Sequence, residues 1–81
     1  MALYKYASNV TQADHDAFDI LHRPGSRAPD TGLYCCQGCG DEIAVRYGDL
    51  FPPSDQHGHA DGRPVEWRLL VFAQQRERAT P

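Results

Sequence analysis

Cys36-Gln37-Gly38-Cys39-Gly40 constrains this chain more than any other stretch. Two thiols two residues apart, followed by glycine, predict a tight turn that aims both sulfurs at one point. Such a turn leaves nearby backbone N–H groups able to donate to the sulfurs. Gly38 and Gly40 permit the φ values it needs. Downstream, His57-Gly58-His59 projects two imidazoles to the same side of an extended segment. Cys36, Cys39, His57 and His59 together make four N/S ligands, the tetrahedral set that zinc favours. A Cys-x-x-Cys turn is also used by redox dithiols, but those open a helix in a βαβ setting, which this sequence lacks. The plainest competing reading makes the cysteines small core residues and the histidines solvated loop residues.

Length explains why such a turn matters. With 81 residues the chain has room for one domain. Below about 80 residues a single core rarely supplies more than a few kcal/mol, so a staple is expected. Three cysteines, two of them adjacent as Cys35-Cys36, fit a disulfide framework poorly. Metal is the better staple. No run of 18 apolar residues is present to span a membrane. The opening MALYKYASNVTQADHD lacks the basic start and apolar stretch of a secretory signal, so a cytoplasmic protein is expected. The formal charge is −3, with four acids and three bases in residues 1–40 and seven and five in residues 41–81. Neither half carries the Lys/Arg cluster that drives phosphate contacts, which disfavours nucleic acid as a partner.

Along the chain the pattern predicts a small α+β protein. Residues 1–7 read as a short strand or anchoring arm. Residues 8–23 read as one short helix, with Thr11 as N-cap and Ala13, Ala17, Phe18 and Leu21 at helical spacing. Pro24-Gly25 ends it. His15 and His22, seven apart, are expected to face solvent. Residues 24–32 are a turn-rich linker. The N-terminal arm, helix and linker (1–31) thus precede a metal-binding unit (32–73) and a mobile tail (74–81). In that unit Gly32–Cys36 and Glu42–Tyr47 read as strands around the cysteine turn, and Gly48–Gly62 as a long loop. Val65–Phe72 is the clearest strand. Alternation places Val65, Trp67, Leu69 and Val71 on one face and Glu66, Arg68, Leu70 and Phe72 on the other. The second half is apolar on both faces, which predicts that the far face is covered by the helix or by another subunit.

Gly32-Leu-Tyr34-Cys35-Cys36-Gln-Gly38-Cys39-Gly40, Gly48-Asp-Leu-Phe51-Pro52-Pro53 and Trp67-Arg-Leu-Leu70 together resemble a zinc ribbon. More closely, residues 24–72 resemble the short bacterial zinc-ribbon proteins, some of which carry the label "protein L" and are unrelated to the immunoglobulin-binding protein. The resemblance implies a three-stranded antiparallel sheet with a Cys-x-x-Cys knuckle, here preceded by the short helix. In many ribbons the Pro-Pro is followed by Cys-x-x-Cys-Gly, which falls on Ser54-Asp55-Gln56-His57-Gly58. His57 matches the second cysteine position, and Ser54 replaces the first. His59 is the best replacement ligand, with Asp55 and Cys35 as alternatives; Cys35 would require its strand to twist.

A centre closed by four protein ligands has no position for water or substrate, so its zinc is structural and the protein is not an enzyme. The leading expectation is a zinc-stabilised module acting through protein contacts, with an unknown partner or by self-association. Trp67, Tyr34, Tyr47 or Phe51 could supply an aromatic anchor, or Trp67 could fill the core. A nucleic-acid-binding ribbon, a metal carrier or sensor, and a zinc hydrolase with Asp55 or Glu66 as base are the alternatives.

Overall fold

The computed structural model describes residues 1–53 and 62–74. Four strands form one antiparallel sheet: β1 (Leu21–His22), β2 (Gly32–Cys36), β3 (Glu42–Val45) and β4 (Trp67–Phe72), in the spatial order β1-β4-β2-β3. Central β2 alternates between buried and half-buried residues along its length. It pairs with β3 through Leu33↔Ala44, Tyr34↔Ile43 and Cys35↔Glu42. Tyr34, Cys36, Trp67 and Leu69 point to the inner face and are buried there.

The β2–β4 pairing contains an irregularity. Tyr34 pairs with Leu69 but Leu33 pairs with Val71, so Leu70 is an extra residue in β4. A bulge of this kind reverses the alternation that follows it. Phe72 therefore turns inward, packing edge-on against Phe18 and His15, while Leu70 and Val71 are exposed. The expected grouping of Val71 with Trp67 and of Phe72 with Arg68 is thereby corrected.

No α-helix forms among the described residues, which corrects the helix expected over residues 8–23. Two 3-10 turns, Ala7–Asn9 and Asp16–Asp19, take its place. This stretch is rich in Asn, Asp, Thr, His, Val and Ile, which have weak helix propensity or compete for backbone hydrogen bonds. His15 makes such a bond: its Nδ1 accepts from the Ala17 N–H at 3.0 Å. The chain then runs extended, and Leu21↔Arg68 and His22↔Trp67 add a fourth strand to the three expected. No helix among the described residues is long and apolar enough to cross a membrane.

The turn-rich stretch before β2 does more than connect. Ala28 N–H donates to Asp49 C=O and Gly48 N–H to Ala28 C=O, both at 2.8 Å. Phe51 N–H donates to Ser26 C=O at 2.9 Å, and Gly25 N–H returns to Phe51 C=O at 3.0 Å. This clamp satisfies backbone groups that the fold would otherwise bury unpaired, and it delivers Phe51 to the core. There Phe51 lies parallel to Trp67 at 6.4 Å and to His22 at 5.1 Å, with Tyr34 edge-on at 4.8 Å. Tyr34 Oη donates to the Asp30 carbonyl at 2.6 Å, so its ring is buried with its polar end satisfied. Trp67 is fully buried and belongs to this core.

Candidate metal centre

β2 ends at Cys36, and the chain turns back into β3 within five residues. Gly40 N–H donates to Cys36 C=O at 2.7 Å, and Cys36 N–H donates to Asp41 C=O at 2.8 Å. Gly40 sits at φ 80°, the left-handed region that glycine enters without strain. Gly38 does not share that role, having no positive φ. Two contacts from the far side of the chain fix the turn. Gln37 N–H donates to Glu66 C=O at 2.8 Å, and Arg63 Nη1 donates to Gly38 C=O at 3.3 Å. Neither contact is legible from spacing: Glu66, weighed only as a base, acts here through its main-chain carbonyl, and Arg63 is a lone arginine.

The turn brings the Cys36 and Cys39 thiols into hydrogen-bonding contact, Cys36 buried and Cys39 exposed. At Cys39 the backbone N–H of Asp41 donates to the sulfur and favours thiolate. Desolvation, the Cys36 thiol and the Asp41 carboxylate act the other way, and the net result lies above the ordinary thiol value. Two adjacent sulfurs cannot both carry charge cheaply without a cation between them. This donor pair, with an N–H directed at sulfur, fits half of a tetrahedral zinc set.

Cys35 lies elsewhere. Its partners across the sheet are Glu42 and Arg68, on the face opposite Cys36, and its Sγ lies 3.7 Å from the Cys36 carbonyl oxygen. His57 and His59, and the alternative ligand Asp55, fall outside the described residues. Among the described residues no three His, Cys, Asp or Glu side chains cluster to hold a metal.

The other histidines are corrected in part. His15 is exposed, as expected, although it caps a turn. His22 is half-buried between Phe51 and Tyr34, and burial holds its pKa below the ordinary value, opposed by the nearby Asp30 carboxylate. Only the pairing of β1 with β4 turns it inward, and that pairing has no local signature.

A curated protein from Escherichia coli, "Protein L", is 38% identical to this chain over 67 residues, covering 83% of this chain and 76% of its own length. The chain belongs to the Protein L family. The expected likeness to proteins carrying that label is therefore shown at the level of this family. No protein-family model matches the sequence, and no solved structure matches it.

Proposed function

We propose that this Protein L relative is a small zinc-ribbon module of the cytoplasm whose zinc is structural and whose work is done through protein contacts. Cys36, Cys39, His57 and His59 are its ligands. The observation that carries this reading is the paired thiol turn with the Asp41 N–H directed at Cys39. Chain geometry supports it further. Arg63 donates to the knuckle at Gly38, and His59 lies four residues before Arg63. Four residues span at most about 14 Å, a tether that is compatible with ligation by His59. When bound, zinc supplies a +2 charge that converts the proton-sharing thiols into two thiolate ligands. The Asp41 N–H then stabilises the Cys39 thiolate, and the Gln37–Glu66 and Arg63–Gly38 bonds hold the turn closed.

Structural zinc in zinc-finger peptides is worth roughly 10–16 kcal/mol at neutral pH, more than a core of this size provides. Folding of residues 32–72 should therefore depend on metal. Native mass spectrometry should give one zinc per chain, and X-ray absorption four N/S ligands with no oxygen. Chelation should remove the sheet signal in circular dichroism, and Cys39→Ser should abolish stoichiometric zinc. A sheet signal untouched by chelation would overturn the reading, as would a zinc shell completed by oxygen.

A further inference from the structure

Among the described residues, the outer face of the sheet carries apolar side chains that neither the aromatic core nor the thiol turn uses. It carries two rows across strands β3, β2 and β4. One row is Ala44–Leu33–Val71, extended by the bulge residue Leu70; the other is Glu42–Cys35–Arg68. Ala44, Leu70 and Val71 are exposed, and Leu33 is half-buried. Leu33, Ala44 and Val71 also line an open groove of about 480 Å³. β3 and β4 flank β2 on its two sides, so the acid and the base of the second row stand at equal distance from Cys35, about 5 Å to either side.

We propose that two copies of this chain associate face to face through this outer surface, about a two-fold axis running along β2. The argument is charge complementarity under that symmetry. Rotation about an axis along β2 places β3 of one copy over β4 of the other and keeps each row opposite itself. Ala44, Leu33 and Val71 then meet apolar residues, and Leu33 and Leu70 have the groove to seat in. Glu42 of each copy faces Arg68 of the other, giving two equivalent ion pairs. The same patch serves both subunits, as an isologous interface requires. Packed sheets lie about 10 Å apart, which long Arg and Glu side chains span and the small residues between them do not obstruct.

In the single chain the Glu42 carboxylate, itself half-buried, is held at 2.8 Å by the fully exposed Met1 ammonium. The ammonium belongs to the start of the chain's first segment and its solvent-facing side weakens the pair, so Arg68 of a second copy competes with it for Glu42. Three short strands offer a projected face on the order of 250 Å², well under the roughly 800 Å² per partner of a tight complex. The dimer is accordingly weak and concentration-dependent.

This inference rests on the contact-module reading and names its partner as a second copy. Sedimentation velocity of the full metal-loaded chain, from about 10 μM to about 1 mM, should show a reversible monomer–dimer equilibrium. Glu42→Arg and Arg68→Glu should each weaken it by about tenfold or more, because each sets like charges opposite one another. The double variant should restore it, since the exchange preserves both pairs. Unchanged zinc content and far-ultraviolet spectrum identify the variants as folded. A monomer at every concentration overturns the proposal, as does a dimer indifferent to the single changes or a double variant that stays weak. Zinc counted by native mass spectrometry keeps the outcomes apart: a zinc-loaded monomer sinks the dimer and spares the ribbon, whereas a metal-free dimer does the reverse.

Discussion

The aromatic layer and the thiol turn lie at neighbouring positions of β2, yet they hold the chain by opposite means. His22, Tyr34, Phe51 and Trp67 come from four separate segments and meet as stacked or edge-on rings. Their contribution to stability comes from apolar area withdrawn from water. The turn from Cys36 to Asp41 is local, closed by backbone hydrogen bonds, and ends on an exposed thiol. Cys36 anchors it in the core, while Cys39 at its tip is left to solvent. The layer is held by packing, and the turn by hydrogen bonds at the point where the proposed zinc would bind.

The largest break in this comparison comes from the layer. Phe51→Ala removes the ring that touches the other three and leaves a cavity where the clamp from residues 25–28 delivers it. Truncation of a buried aromatic costs about 3–5 kcal/mol, comparable to the whole net stability of a chain this short. Urea unfolding followed by Trp67 fluorescence should find the zinc-loaded variant largely unfolded, or its midpoint far lower. An unchanged midpoint would show that the stack contributes nothing and that the metal carries the fold.

Two glycine substitutions sharpen the contrast at smaller scale. A Cβ on Gly32 would overlap the Val71 carbonyl oxygen and stand 3.0 Å from Leu69 Cδ1. A backbone oxygen in a ladder cannot step aside, so Gly32→Ala should cost about 1–3 kcal/mol through overpacking. A Cβ on Gly40 meets nothing within 4 Å, but φ is +80° there, so Gly40→Ala should cost about 1 kcal/mol through strain. Asparagine separates the two causes. It tolerates the left-handed region, so Gly40→Asn should recover part of the loss, while Gly32→Asn should be worse than Gly32→Ala. Equal behaviour of both sites in thermal melts would refute the distinction.

The same division explains what was legible in the sequence. The Cys36–Gly40 turn and strands β2 and β3 are local, and turn chemistry and alternation located them. The aromatic layer was visible only as a set of apolar residues, because nothing in residues 24–32 reveals that they pair with residues 48–51. The expected helix failed for a related reason. Ala17 and Phe18 do face the core, but they reach it through one 3-10 turn, and pairing with β4 draws Leu21–His22 into the sheet. The bulge at Leu70 reversed the faces of Val71 and Phe72, since a one-residue slip is invisible to a two-residue period. Of the candidate site, the two cysteines were legible from spacing. The Glu66 carbonyl and Arg63 contacts that fix the turn were not.

His22 offers the finest test, because it belongs to the layer while titrating in the range where zinc ligands titrate. Burial against Phe51 lowers its pKa below the ordinary value of about 6.5, and Asp30 only partly offsets this. The unfolded chain therefore binds a proton at a pH where the folded chain does not. The stability it contributes is complete above about pH 6.5 and falls away as pH drops through the lower folded value. The proposed zinc site predicts a second loss in acid, because imidazole and thiolate ligands take up protons. His22→Phe keeps a ring against Phe51 and removes only the proton. Urea midpoints for the wild type and His22→Phe, both zinc-loaded, should run together above about pH 7 and diverge as pH falls towards about 5, with the variant the more resistant. The gap between the curves belongs to the layer, and the decline they share is what the proposed zinc site predicts. Parallel curves would mean that His22 is solvated in both states, and the layer would then hold three rings instead of four.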